Sequence, residues 1–354
     1  MTLRAPDKVR GRVSPCPAEK PKHHRCGPLP QPGLAAWLET ELGSPQTLIP
    51  LAGDGGGRLY FRLEGAGRVA LYGPDPAENR AWLNIGRHLA AKDLPVPQIY
   101  GHDVAAGFFI LEDLGDRFLA EPGADPIYYF SAVEALARFH RTAAEGFDPG
   151  WCQRDPVYDR QTAEDQEIGY CLNHLMVGLL NWPEPSARVR GEAGGLAEAA
   201  AAAGHRGLIH RDYQGRNLMI QSGRVRIIDW QGARLGPAAY DLAALIQETP
   251  AGPLAPAFKE ELVGHYLRER PEIIETDTFR QELLIVGTVR LMQALGAYAK
   301  LARAGKPKFL AYIEQALAIL AQNFRRPPLS SAFPLLRESA EKAWQEALED
   351  PRFL

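Results

Sequence analysis

The sequence predicts an α+β fold in two unequal lobes: a small N-terminal lobe built on an antiparallel sheet, and a larger, mainly helical C-terminal lobe. Three observations carry that expectation. The chain has 354 residues, and at about 100–200 residues per domain it is long enough for two cores. Five short apolar runs separated by turn residues fall before residue 112, the pattern of short paired strands. After Leu114-Gly115-Asp116 the apolar residues recur at helical spacing instead.

Taken in order, Leu34 to Leu42 has helical apolar spacing and stops at Gly43, a residue favoured just past helix ends. Thr47 to Leu51, Leu59 to Leu63 and Arg68 to Tyr72 read as strands joined by the glycine-rich turns 53–57 and 65–67. A helix from about Pro76 to Lys92 ends before Leu94-Pro-Val-Pro97, and strands at Gln98 to Tyr100 and Phe108 to Leu111 complete a sheet with one helix across it. Helices are then expected at Ile127 to Thr142, Asp159 to Leu180 and Leu196 to Ala203. A β insertion at 207–229 interrupts them, and they resume to about residue 325. Ala332 to Leu354, after Arg326-Pro-Pro-Leu329, reads as an appended amphipathic helix. The expected divisions are a tail over 1–33, an N-lobe over 34–115, a C-lobe over 116–328 and an extension over 329–354.

Composition narrows the function classes. Hydrophobic residues make up 45% and charged residues 23%, which excludes wholesale disorder. The net charge of −3 removes the simple case for a nucleic-acid binder. Residues 1–33 hold seven basic side chains, two acidic ones and seven prolines, a local +5 that leaves −8 on the remainder. With so few large apolar groups that stretch cannot offset its ordering entropy, so a solvated, disordered arm is expected. It has neither the apolar core of a secretory signal nor the composition of a transit peptide. No apolar run is long enough for a membrane span. The four cysteines show no paired spacing, and the Cys16, His23, His24, Cys26 group lacks a zinc knuckle, so a reducing cytoplasm is the expected location.

Leu208-Ile-His-Arg-Asp-Tyr-Gln-Gly-Arg-Asn-Leu-Met-Ile220, followed by Arg224-Val-Arg-Ile-Ile-Asp-Trp230, is the most informative stretch. Leu218 to Ile220 and Val225 to Ile228 are apolar strands joined by a hairpin connection. An antiparallel hairpin brings the residue before its first strand and the residue after its second to one open end. Those residues are Asn217 and Asp229, two hard oxygen donors of the kind that suit Mg²⁺. Asp212, five residues before Asn217, is in a loop able to turn back to the same point and accept a proton from an attacking hydroxyl.

His210-Arg-Asp-x-x-x-x-Asn217 followed by Ile228-Asp229 resembles the catalytic and metal-binding segments of the protein-kinase-like superfamily. The resemblance implies Asp212 as catalytic base, Asn217 and Asp229 as Mg²⁺ ligands, and His210 and Arg211 as residues that fix the loop. It also implies a loop over the ATP phosphates at Gly53 to Arg62, where the backbone at Gly53 and Gly55 approaches phosphate oxygens and Arg58 or Arg62 adds charge. Glu112 to Leu114 would be the hinge that holds adenine. Asp241 follows Asp229 by only twelve positions, leaving no room for a peptide-docking segment. That spacing is similar to the small-molecule kinases of the aminoglycoside and choline kinase type, and it implies a buried bracing role for Asp241.

One departure from the superfamily pattern stands out. Arg68 to Tyr72 contains no lysine to hold phosphates, which leaves Glu78, a candidate helix glutamate, without its usual partner. Bacterial kinases that phosphorylate the anomeric hydroxyl of N-acetylmuramate and N-acetylglucosamine also tend to lack that lysine. The chain resembles them at Tyr60-Phe-Arg62, at Gly107 to Asp116, at His210 to Met219, at Ile228 to Leu242 and at Thr288 to Gly296. The expected function is therefore transfer of the ATP γ-phosphoryl group to the C1 hydroxyl of an amino sugar in cell-wall sugar recycling. Residues of 159–180 and 285–300 would line the acceptor pocket, with Glu167, Tyr170 and Arg290 as candidates whose simpler reading is packing or surface. Two other readings stay open: a kinase for an aminoglycoside, choline or another small alcohol, and a nucleotide-binding pseudokinase scaffold.

Overall fold

The computed structural model describes residues 31–51, 57–121, 123–247 and 254–353. Two compact units divide the chain, 1–45 and 46–354. In the first, helix α1 (Leu34–Leu42) ends at Gly43, whose N–H bonds the Glu39 carbonyl. The expected disordered arm lies outside the described residues up to position 30.

The second unit opens with a five-stranded antiparallel sheet. Its strands are β1 (Leu48–Leu51), β2 (Leu59–Leu63), β3 (Arg68–Tyr72), β4 (Ile99–Asp103) and β5 (Phe108–Glu112), in the spatial order β1-β2-β3-β5-β4. Helix α2 (Pro76–Ala91) starts where the Asp75 carboxylate accepts the Ala77 and Glu78 N–H groups, with Pro76 at the first position, a strong local start signal. Its buried residues Trp82, Ile85 and Leu89, at helical spacing, share one core with Leu71, Phe109 and Leu111 of the sheet.

Helices dominate thereafter: α3 (Ile127–Thr142), α4 (160–177), α5 (Ala187–Ala201), α6 (Ala239–Ile246), α7 (Pro256–Glu269), α8 (Thr276–Arg303), α9 (Ile313–Phe324) and α10 (Pro334–Glu349). The 28-residue α8 packs against α4, α5, α6 and α9, with Val286, Val289 and Leu295 fully buried. Two small antiparallel pairs interrupt the helices: β6 (Arg206–Ile209) with β9 (Arg234–Pro237), and β7 (Leu218–Gln221) with β8 (Arg224–Ile227).

Three details differ from the sequence expectation. The helix expected from Leu196 begins at Ala187, because Ser186 caps it, its Oγ accepting the Val189 N–H at 3.3 Å. The helix expected over Asp159 to Leu180 contains two π-helical segments, Glu164–Ile168 and Leu172–Val177, whose wider turns shift which side chains face inward. Strand β9 was hidden by its Gly236 and Pro237, which depress strand propensity. At the C-terminus α10 packs on α9 and α5, and the Glu192 carboxylate accepts the Leu335 and Leu336 N–H groups at its first turn.

Candidate active site

A single carboxylate holds the loop that follows β6. Asp241, at the start of α6 and fully buried, accepts the His210 N–H at 2.7 Å and the Arg211 N–H at 2.8 Å. His140 Nε2 meets the same carboxylate at 3.1 Å, and its Nδ1 meets the Tyr266 hydroxyl at 2.7 Å. Burial pushes the His140 pKa down against the pull of Asp241. The neutral ring therefore donates to Asp241 and accepts from Tyr266. Arg211 has φ of 78°, in the left-handed region, a conformation that the two Asp241 bonds hold in place.

The hairpin joins that loop to its far end. Ile228 N–H donates to the Asn217 carbonyl at 3.0 Å, which brings Asn217 and Asp229 to one open end, as the spacing predicts. The His210 ring ties in the same strand end through Nε2 and the Ile228 carbonyl, 2.9 Å apart. Asn217 Nδ2 donates to the Asp212 carbonyl at 2.8 Å. That bond fixes the amide, and its oxygen accepts no hydrogen bond among the described residues. Asp229 has φ of 68° and takes the Gln231 amide on one oxygen at 2.9 Å. Burial works to raise the Asp212 pKa, but Arg211, Arg290 and Arg216 outweigh it and hold the carboxyl below the usual range.

Asn217 and Asp229 border a cleft of about 470 Å³, a size suited to a nucleotide. Arg58, Glu112 and Leu114 line it as well, whereas Asp212 reaches it only through its backbone bond to Asn217. Gly53 and Gly55 lie outside the described residues. The cleft walls are apolar at Val69, Leu111 and Met219. On one side, Leu114 is 6% exposed, and neither its N–H nor its carbonyl is paired among the described residues. On the other, Trp230 stacks on Trp82 with centroids 4.9 Å apart and donates to the Trp82 carbonyl at 2.8 Å. That approach needs Gly86, because a Cβ there would lie 2.7 Å from the Trp230 ring.

The two candidate arginines separate. Arg62 is committed to the 113–116 segment, with Nε to Asp113 at 2.6 Å and Nη2 to Asp116 at 2.8 Å. Arg58 is 8% exposed, has its guanidinium 3.3 Å from Glu78 and 6.0 Å from the centre of the Trp82 ring, and lines the cleft. All three of its side-chain nitrogens are buried without a hydrogen-bond partner among the described residues. Glu78 thus has a partner after all, supplied from the start of β2 rather than from β3. The Glu112 side chain takes a structural part. Burial raises its pKa, but the Arg226 fork and the Gln98 N–H lower it further, and the net direction is down. This ion pair ties β5 to β8.

A family model described as "Phosphotransferase enzyme family" matches residues 47–275. An N-acetylmuramate/N-acetylglucosamine kinase of Pseudomonas putida is 28% identical over 86% of this chain and 90% of its own length. The kinase of the same name from Pseudomonas aeruginosa is 28% identical over 82% and 88%. Among solved structures, a choline/ethanolamine kinase family protein from Mesorhizobium loti superposes with a TM-score of 0.53 at 19% identity, covering 82% of this chain and 92% of that one. ADP-bound aminoglycoside phosphotransferase APH(2'')-Ib gives 0.55 at 14%, covering 85% and 99%. The fold is protein-kinase-like, and the protein is a small-molecule kinase. The chain belongs to the phosphotransferase enzyme family that matches it.

Proposed function

We propose that the protein transfers the γ-phosphoryl group of ATP to the C1 hydroxyl of N-acetylmuramate or N-acetylglucosamine. The observation that carries the reading is the meeting of Asn217 and Asp229 at one hairpin end, on a nucleotide-sized cleft, with Asp212 one loop turn away. The choice of acceptor rests on the two relatives of that name, aligned over most of both chains.

In this reading the free N–H and carbonyl of Leu114 meet the donor and acceptor edge of adenine, between the apolar walls. Arg58, held by Glu78 and Trp82, faces the phosphates and takes over from the absent lysine. The donor set suits Mg²⁺: the unpaired amide oxygen of Asn217 and the carboxylate of Asp229 are hard oxygens, and no cluster of three or more His, Cys, Asp or Glu side chains competes for a metal among the described residues. Bound there, Mg²⁺ would neutralise phosphate charge. Asp212 orients the acceptor hydroxyl and takes its proton as the sugar oxygen bonds to γ-phosphorus and the bond to the leaving ADP breaks. A hemiacetal hydroxyl is more acidic than an ordinary alcohol, so a carboxylate of low pKa suffices when the proton leaves late.

Two outcomes are expected. In an acceptor screen with labelled ATP, both amino sugars are phosphorylated with loss of the reducing end, while choline, ethanolamine and aminoglycosides are not. Turnover of an amine without turnover of an amino sugar would overturn the reading. Arg58→Met raises the KM for ATP about 10- to 100-fold, the worth of a charge-assisted contact of about 1.5–3 kcal/mol. Glu78→Gln raises it less, and Arg58→Lys recovers part of the loss. An unchanged KM in Arg58→Met would remove Arg58 from the phosphate site.

A further inference from the structure

Arg62 reaches from β2 across the start of β3 to the segment that follows β5. Its Nε donates to Asp113 Oδ2 at 2.6 Å and its Nη2 to Asp113 Oδ1 at 3.1 Å, a two-pronged fork on one carboxylate. Nη1 and Nη2 also donate to the Asp116 carboxylate at 3.0 and 2.8 Å, and Nη2 donates to the Gly115 carbonyl at 3.1 Å. The Asp113 side chain is 15% exposed and that of Asp116 75%, so the fork on Asp113 carries most of the clamp.

The clamp closes on both sides of Leu114. Asp113 donates its N–H to the Gly67 carbonyl at 3.1 Å, and its own carbonyl accepts the Gln221 amide at 3.0 Å. Gly115, with φ of 83°, donates its N–H to the Asp113 carboxylate at 2.9 Å, and its carbonyl accepts from Arg62. The backbone groups before and after Leu114 are thus paired, while the N–H and carbonyl of the nearly buried Leu114 have no partner among the described residues. A backbone pair in that state calls for a ligand that supplies both a donor and an acceptor.

Strand alternation puts Arg58, Tyr60 and Arg62 on one face, with Val69 opposite Arg62 and Leu111 opposite Val69. Arg58, Tyr60, Val69 and Leu111 line the cleft, whereas Arg62 does not. Along an extended chain the two arginines stand about 13 Å apart. We infer that Arg62 is a positioning residue for the base: it holds Leu114 so that the cleft favours adenine over guanine, in register with Arg58 at the other end of the same strand. The inference rests on the nucleotide reading above. Adenine presents a donor at N6 beside an acceptor at N1, and guanine presents an acceptor at O6 beside a donor at N1, the reverse order. A Leu114 backbone held in one orientation distinguishes the two, and one free to turn satisfies either.

Calorimetric titration with ADP, GDP and tripolyphosphate, each with Mg²⁺, tests this without an acceptor. The unaltered protein is expected to bind ADP at least about tenfold more tightly than GDP, the worth of one mismatched hydrogen-bond pair. In Arg62→Met the ADP-to-GDP ratio falls to about one, while tripolyphosphate affinity stays within about twofold of the parent. Arg58→Met shows the reverse, weaker tripolyphosphate binding with the base ratio kept. An Arg62→Met protein that retains the ADP preference overturns the inference, as does one that weakens all three ligands alike, the mark of general loosening. An unaltered protein that binds ADP and GDP alike also overturns it, and this arm needs no variant to fold. Should Arg62→Met not fold, Arg62→Lys, a point charge that cannot fork onto both carboxylates, and Asp116→Ala are each expected to lower the ratio about threefold; an unchanged ratio in both overturns the inference. Hydrogen exchange separates the inference from the reading beneath it: in the unaltered protein ADP slows exchange of the Leu114 amide and tripolyphosphate does not. If ADP gives no protection, Leu114 is not the adenine contact, and the nucleotide reading fails together with the inference. Protection by ADP beside a retained ratio in Arg62→Met overturns the inference alone.

Discussion

Asp212→Asn lowers kcat on the order of a thousandfold and leaves ADP affinity within about twofold of the parent. The carboxamide keeps the size of the side chain and the Asp212 carbonyl that receives Asn217, so the loop retains its shape. In the proposed base role, what it loses is the ability to take a proton from the attacking hydroxyl, a contribution of about 10²–10⁴-fold in general base catalysis. ADP binding is spared because the Asp212 side chain does not line the cleft that Arg58, Leu114 and Asp229 share. Single-turnover transfer from labelled ATP, measured beside ADP titration calorimetry, separates the two. A variant that keeps more than a tenth of the parental transfer rate would remove Asp212 from the base role.

Asp229→Ala has a comparable effect by a different route. In the proposed metal site Asn217 and Asp229 supply the two side-chain ligands, and removal of the carboxylate leaves the neutral amide of Asn217. Transfer is expected to fall on the order of a thousandfold, since charge neutralisation at the phosphates contributes several kcal/mol. The distinguishing readout is binding: in the parent Mg²⁺ tightens ADP binding, in Asp229→Ala it does not, and without Mg²⁺ the two proteins bind ADP alike. Retained Mg²⁺ dependence in the variant would mean that the ion is held elsewhere.

The meeting of Asn217 and Asp229 was legible in the sequence because a hairpin is a local object: once two strands and a two-residue turn are recognised, the geometry at the open end follows. The Asp241 brace was legible only through its spacing from Asp229, and its three partners come from α3 and from the loop itself. The Arg58 pairing with Glu78 was not legible. It joins the residue before β2 to the first turn of α2 across a sheet and a turn, whereas the superfamily pattern places the cation on β3. Arg62 invited a phosphate role by its position, yet two carboxylates of the 113–116 segment claim it. Nor did the sequence reveal the π-helical turns of α4, which put Glu167 in the interior against Tyr158 and Tyr240. Hydrophobic periodicity assumes a constant 3.6-residue turn and cannot register a local change of pitch.

The turn of the β7–β8 hairpin, Ser222-Gly223, has φ of 49° and 76°, the two-residue geometry that matches the twist of its strands. It sits at the opposite end of the ladder from Asn217 and Asp229. Distance between those two side chains is therefore set by cross-strand pairing and is independent of how many residues close the loop. The turn is a natural port for engineering: a reporter peptide or fluorophore-bearing loop grafted between Ser222 and Gly223 would leave Asn217 and Asp229 in register.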